Sequence, residues 1–187
     1  MTESQLEKLT KAKLGELILE SGAHKFRDEG VCAMEAVAWL AGESHSDTPS
    51  CTCLTITRFV QSINDQATEE ARQELKSVLH LVIGTQTEDI QRLRKRAYLA
   101  TDFAVRVAAP WALDVAGLME KAATLRALPP VADATMAGNA QEAAGATAWA
   151  AVGAAEGAAR AAETARNDFW KKAMPECVAL IRSMCEA

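Results

Sequence analysis

Apolar residues recur at three- and four-residue spacing along most of the chain, with charged residues between them, which is the pattern of amphipathic helices. Leu6, Leu9, Leu14, Leu17 and Ile18 place a first helix over 3–21, stopped by Ser21 and Gly22. After a polar turn over 25–30, residues 31–41 are apolar on most sides, interrupted only by Glu35 and ended by Gly42, which predicts a buried central helix. Residues 43–50 read as a loop feeding Cys51-Thr52-Cys53, and Leu54, Ile56, Phe59, Val60 and Ile63 form the apolar face of a third helix. Thr68 ahead of Glu69 and Glu70 predicts an N-cap and a fourth helix reaching Gly84. Thr87 ahead of Glu88 and Asp89 predicts a fifth, reaching about Ala109. Pro110 suits the first turn of a sixth, closed by Leu128-Pro129-Pro130. A last helix is expected after Pro175. Only 78–83, rich in branched residues, could build a strand, so the expectation is all-α: a compact bundle of about six to eight helices. No fixed period marks a repeat array.

Composition changes the picture of the core. Hydrophobic residues are 49% of the 187, but aromatics only 5%, because alanine supplies much of the count. The interior should therefore contain helices at short distance rather than large rings. From Asp133 the composition shifts, and 134–166 is dominated by alanine with Gly138, Gly145, Gly153 and Gly157 interspersed. This divides the expected organisation into a helical core domain over 1–130 and an alanine-rich segment over 131–187. That segment forms a long helix or helix hairpin, packed on the core or used for self-association, with Gly153-x-x-x-Gly157 as the seam for a close crossing. A formal charge of -5 argues against a general nucleic-acid binder. The N-terminus lacks the build of a signal peptide and no stretch is apolar enough for a bilayer, so a cytoplasmic protein is expected, with its five cysteines as reduced thiols or metal ligands.

The candidate chemistry lies in the first third. Cys32, His45, Cys51 and Cys53 follow a Cys-x12-His-x5-Cys-x-Cys spacing, with His24 eight residues upstream of Cys32. Thiolate and imidazole are the ligands zinc prefers, and four of them, with His24 as an alternative to His45, could tie the central helix to the loop after it. The spacing matches no standard zinc module. A second reading makes Cys32 a small buried hydrophobe and Cys51 and Cys53 ordinary thiols. A third makes Cys32, near a helix N-terminus with His24 or His45 as base, the nucleophile of a hydrolase or acyltransferase. No carboxylate partner or oxyanion hole can be named for it, so no catalytic set is assigned and the balance leans away from an enzyme. No cofactor-binding motif is present; zinc is the one cofactor the residues suggest.

The segment 22–59 also resembles a group of uncharacterised proteins of bacteriophages, prophages and bacterial genomes. The residues that carry the resemblance are Gly22-Ala23-His24, the run Gly30-Val31-Cys32-Ala33-Met34-Glu35-Ala36-Val37-Ala38, then Ala41-Gly42-Glu43, Ser46-Asp47 and Pro49 with Cys51 and Cys53. It covers roughly the first two-thirds of the chain, and members continue into a similar alanine-rich tail. Members commonly carry a histidine where this chain has Thr48 and a proline where it has Leu54, which leaves His45 as a substitute ligand at best. The resemblance brings no activity with it. It implies a phage or mobile-element accessory protein, working in the cytoplasm of an infected or lysogenic bacterial host by binding a host or phage protein, with counter-defence as one form of that role.

Arg92, Arg94, Lys95 and Arg96 form a basic run on the fifth helix that could meet phosphate or an acidic partner, although nearby acids such as Glu88 and Asp89 make a solvated helix face the plainer reading. The expectation is therefore a non-enzymatic accessory protein with a protein partner, against a Cys32-dependent enzyme and a structural protein assembling into homo-oligomers through its tail.

Overall fold

The computed structural model describes residues 14–140, 142–143 and 162–187, the side chains of Arg27 and 162–165 excepted. Among these residues the chain is all-α, with no strand. It divides into two compact units, Met1–Leu93 with Met174–Ala187, and Arg94–Ala173.

In the first unit, α1 (Ala33–Ala41) is the central helix that the apolar run predicts, and Ala33, Met34, Ala36, Val37 and Ala38 on it are all fully buried. It ends at Gly42, whose left-handed conformation (φ 76°) lets its N–H reach back to the carbonyls of Ala38 and Trp39. Two more helices pack on it, α2 (Leu54–Gln66) and α4 (Leu79–Val82). The small side chains on α1 permit that close approach, as the scarcity of aromatics led one to expect.

Between them the single helix expected from Thr68 to Gly84 is broken into α3 (Glu69–Gln73), a 3₁₀ turn (Glu74–Ser77) and α4. The Thr68 cap forms, its hydroxyl accepting the Ala71 N–H at 3.3 Å. Leu75, Val78, Leu79 and Val82, at i, i+3, i+4 and i+7, are all buried on one side of the segment despite the break. Residues 78–83 thus build a helical turn and not a strand.

The first helix also ends earlier than its pattern suggests. Among the described residues Leu14 and Gly15 are helical, and 17–20 is not. Leu19 instead exchanges two bonds with the amide of Gln73: its N–H donates to Oε1 at 3.0 Å and its carbonyl accepts from Nε2 at 2.9 Å. The Glu20 N–H donates to the Val31 carbonyl at 2.9 Å.

In the second unit, α5 (Ile90–Phe103) runs into a π-helical turn (Ala104–Ala108) and then α6 (Ala109–Val115). The expected start at Thr87 moves two residues on: Asp89 Oδ1 accepts the Gln91 N–H at 2.9 Å, and the Thr87 hydroxyl accepts that of Asp89. Pro110 lies in the first turn of α6, as expected, but α6 follows the π-helical turn without a break in the chain's helical course. In a regular α-helix its ring would collide with the Arg106 carbonyl; the wider turn, closed by the Ala109 N–H on Ala104, carries the helix past it. Gly117 (φ 75°) separates α6 from α7 (Met119–Arg126), which packs against it. Val105, Leu113, Ala122, Leu125, Val131 and Ala140 form this unit's core. Asp102 anchors the strap after α7 by accepting the Val131 N–H at 2.9 Å.

The last helix, α8 (Ala162–Glu186), contains Pro175 in its interior instead of starting after it. Met174, Cys177, Ile181 and Met184 are all fully buried at helical spacing, and burying that stripe offsets the roughly 3 kcal/mol an interior proline costs. The glycine seam Gly153 and Gly157, and most of the alanine-rich stretch, lie outside the described residues.

Candidate functional site

The cluster in the first third is organised around a residue that the sequence pattern treats only as an interruption. Glu35 sits in the first turn of α1, 1% exposed. Its Oε1 accepts the backbone N–H of His24 at 2.6 Å, and its Oε2 accepts that of Cys32 at 2.8 Å. The Nδ1 of His24 lies 2.9 Å from Oε2 and, since an ionised carboxylate only accepts, is the donor. The Nε2 of His45 stands 3.6 Å from Oε1 and donates at 3.0 Å to the carbonyl of His24.

This is a capping box with an uncommon first member. Cys32 is the N-cap residue: its sulfur accepts the Glu35 N–H at 3.5 Å while Glu35 returns the bond to the Cys32 N–H. Serine or threonine normally takes that place, with glutamate three residues on. The spacing Cys32-x-x-Glu35 was the signal available in the sequence; the cysteine hides it, because thiols are read first for metal or redox chemistry.

The electrostatics follow from these contacts. Burial pushes the Glu35 carboxyl upward, but the hydrogen bonds from Cys32 and His24 outweigh it and hold the group below the usual glutamate range. It is therefore ionised at neutral pH. Burial pushes the Cys32 thiol up to about 12, and the Glu35 charge adds to this against the bonds that favour thiolate. A thiol so placed is protonated and 3% exposed, the opposite of an activated nucleophile. The low-pKa Cys32 expected from a helix N-terminus is thus not formed, since burial and the carboxylate override the dipole.

Gly30 makes the close approach of this network feasible. A Cβ there would lie 2.5 Å from His24 Nε2 and 2.9 Å from Glu20 Oε2, and φ is 146°. On the far side, Asn64 of α2, also buried, accepts the Ala33 N–H at 3.1 Å and donates to the Glu20 carbonyl at 2.9 Å. Segment 20–35 is thus fixed to α2 through side-chain to backbone bonds.

The remaining sequence candidates take other partners. Cys53 is buried at the N-cap of α2, with its N–H donated to the Thr85 hydroxyl at 3.0 Å. Cys51 donates its N–H to Glu43 Oε1 at 2.8 Å, and the same carboxylate holds the Ser50 N–H and hydroxyl. Burial, with Glu43 adding to it, raises the Cys51 thiol as well. Thr48 closes the loop locally, its N–H on the Ser46 hydroxyl at 3.1 Å. So His24, Cys32 and His45 meet, but at Glu35, while Cys51 and Cys53 serve the loop and the next helix. Among the described residues no group of three or more His, Cys, Asp or Glu is arranged to hold a metal ion. The basic run on α5 is not one surface: Arg92, Arg94 and Lys95 are exposed, but Arg96 is buried at 1% exposure. No described helix is long and apolar enough to cross a membrane.

No protein-family model, curated protein or solved structure matches the chain.

Proposed function

We propose that the chain is a non-enzymatic accessory protein that works by binding a partner protein, with the His24, Cys32, Glu35 and His45 network as the staple that holds its first unit in a binding-competent shape. The observation that carries this is the use already made of the reactive-looking groups. All three close donors on Glu35 are structural, two of them backbone N–H groups, and the Cys32 sulfur is consumed as a helix cap with its thiol pushed up to about 12. Neither is left for a substrate. The resemblance of 22–59 to proteins of bacteriophages and prophages supports a setting in the cytoplasm of an infected or lysogenic bacterium, with a phage protein or a host factor, defence machinery included, as the partner.

Thiol labelling of the native protein at neutral pH tests the chemical half. Iodoacetamide should modify the half-buried Cys51 and Cys185 first and leave Cys32, Cys53 and Cys177 untouched until denaturant is added. Selective modification of Cys32 in the native state, abolished by His24→Ala, would replace this reading with a cysteine-dependent enzyme. Affinity purification from phage-infected cells tests the other half. A protein should be recovered in near-stoichiometric amount with the wild type and lost with Glu35→Ala; recovery of none, or of the same set with both, overturns it.

A further inference from the structure

A cavity of about 170 Å³ opens in the first unit where α2 passes the Cys32 cap. Its apolar part is made by Cys32 and Met34, both buried, and its polar part by Arg58, Gln61, Asn64 and Asp65 of α2 with Asp47 from the preceding loop. For comparison, an apolar cavity of about 150 Å³ holds a benzene-sized molecule, so this space takes a ligand of only a few heavy atoms.

The unused bonding capacity here carries both signs. Arg58 spends Nη1 on Gln61 Oε1 at 3.0 Å, and among the described residues its Nε and Nη2 have no partner. Asp65 spends Oδ1 on the Gly22 N–H at 2.8 Å and on the Asn64 amide at 3.0 Å, leaving Oδ2 without a partner among the described residues. Asp47 is committed, through its carbonyl and Oδ2, to the Gln61 amide at 2.8 and 3.2 Å. Gln61 is therefore fixed between the two open charges with both ends of its amide used. Arg58 and Asp65 are seven residues apart on one helix, so two turns, about 10.5 Å of rise, lie between their backbones along one face. They form no ion pair with each other.

We propose that this cavity binds a compact zwitterion of the free amino acid or glycyl-dipeptide class, its carboxylate on Arg58 and its ammonium on Asp65. A ligand with one charge satisfies one side chain and leaves the other open; one that carries both can meet the two side chains from within the single cavity they line. The site does not depend on the partner-binding role, and either can fail without the other.

Titration of the isotopically labelled full chain with glycine, L-alanine, L-serine and glycylglycine, each followed by amide resonances, tests it. At least one should shift the Gly22 N–H and the Gln61 and Asn64 side-chain amides saturably, with a dissociation constant of about 1 mM or tighter. Arg58→Met and Asp65→Asn should each weaken that binding at least about tenfold. Both side chains are exposed, and asparagine keeps the oxygen that accepts from Gly22, so the amide spectrum of each free variant should stay that of the folded protein. Acetate and methylammonium, which carry the charges singly, should bind more weakly by the same factor. No saturable shift with any zwitterion, or acetate or methylammonium binding as well as the best of them, overturns the proposal.

Discussion

Glu35 shows how one side chain can reverse the meaning of a motif. A carboxylate in an apolar helix is costly to bury unless donors surround it, and here two backbone N–H groups and an imidazole do so. Glu35→Ala leaves those donors unsatisfied in the interior, and a loss of about 3–5 kcal/mol is expected in chemical denaturation. Glu35→Gln keeps one acceptor oxygen and should lose less. Cys32 provides the complementary test. A cap needs only an acceptor atom, so Cys32→Ser should fold with stability within about 1 kcal/mol of the wild type, while Cys32→Ala loses about 0.5–2 kcal/mol with the cap. A serine variant as damaged as the alanine one would mean that the sulfur does something other than accept the Glu35 N–H. The sequence made three members of this network visible, His24, Cys32 and His45, through residue type. It hid their common partner, since their convergence depends on long-range contacts of the turn at 20–31, whose presence the polar run predicts but whose geometry no local pattern specifies.

At the scale of elements, what could be read from the chain and what could not divide along the reach of the interactions. The stop at Gly42 and the Thr68 cap are local devices and stand as expected. The first helix does not extend to Ser21 because Gln73, 54 residues away in sequence, takes both backbone groups of Leu19. Likewise the basic run is broken at Arg96 by burial that tertiary packing alone decides. Two glycines expose the same difference. Gly42 and Gly30 both have positive φ, at 76° and 146°, but a Cβ at Gly42 would meet open space, whereas at Gly30 it would strike His24 and Glu20. Gly42→Ala should therefore cost about 1–2 kcal/mol of backbone strain. Gly30→Ala should cost more, and should displace the His24 ring resonances in the imidazole spectrum while Gly42→Ala leaves them in place. Equal losses with an unmoved His24 would show that Gly30 serves backbone conformation only.

At the scale of the molecule, the buried titratable groups of the first unit set the pH range over which it stays folded. Glu35 is held below its ordinary range in the folded chain, so its contribution is present above the unfolded carboxyl pKa and is lost as pH falls through the lower, folded one. The thiols act at the other end. Burial, as the largest cause, raises Cys32 and Cys177 each from 9.0 to about 12, so above pH 9.0 the unfolded chain releases two protons that the folded one retains. Fewer protons on the unfolded side make stability fall as pH rises through that interval. Urea denaturation across pH should accordingly give a plateau bounded by an acid limb and an alkaline limb. Glu35→Gln should flatten the acid limb, having no charge to lose there. The double variant Cys32→Ser with Cys177→Ser should make the alkaline limb shallower, leaving the smaller part due to Cys51, and leave the acid one unchanged. If the alkaline limb keeps its slope without those two thiols, the folded chain does not hold their protons, and the protonated, capping Cys32 on which the non-enzymatic reading rests is not the form present in solution.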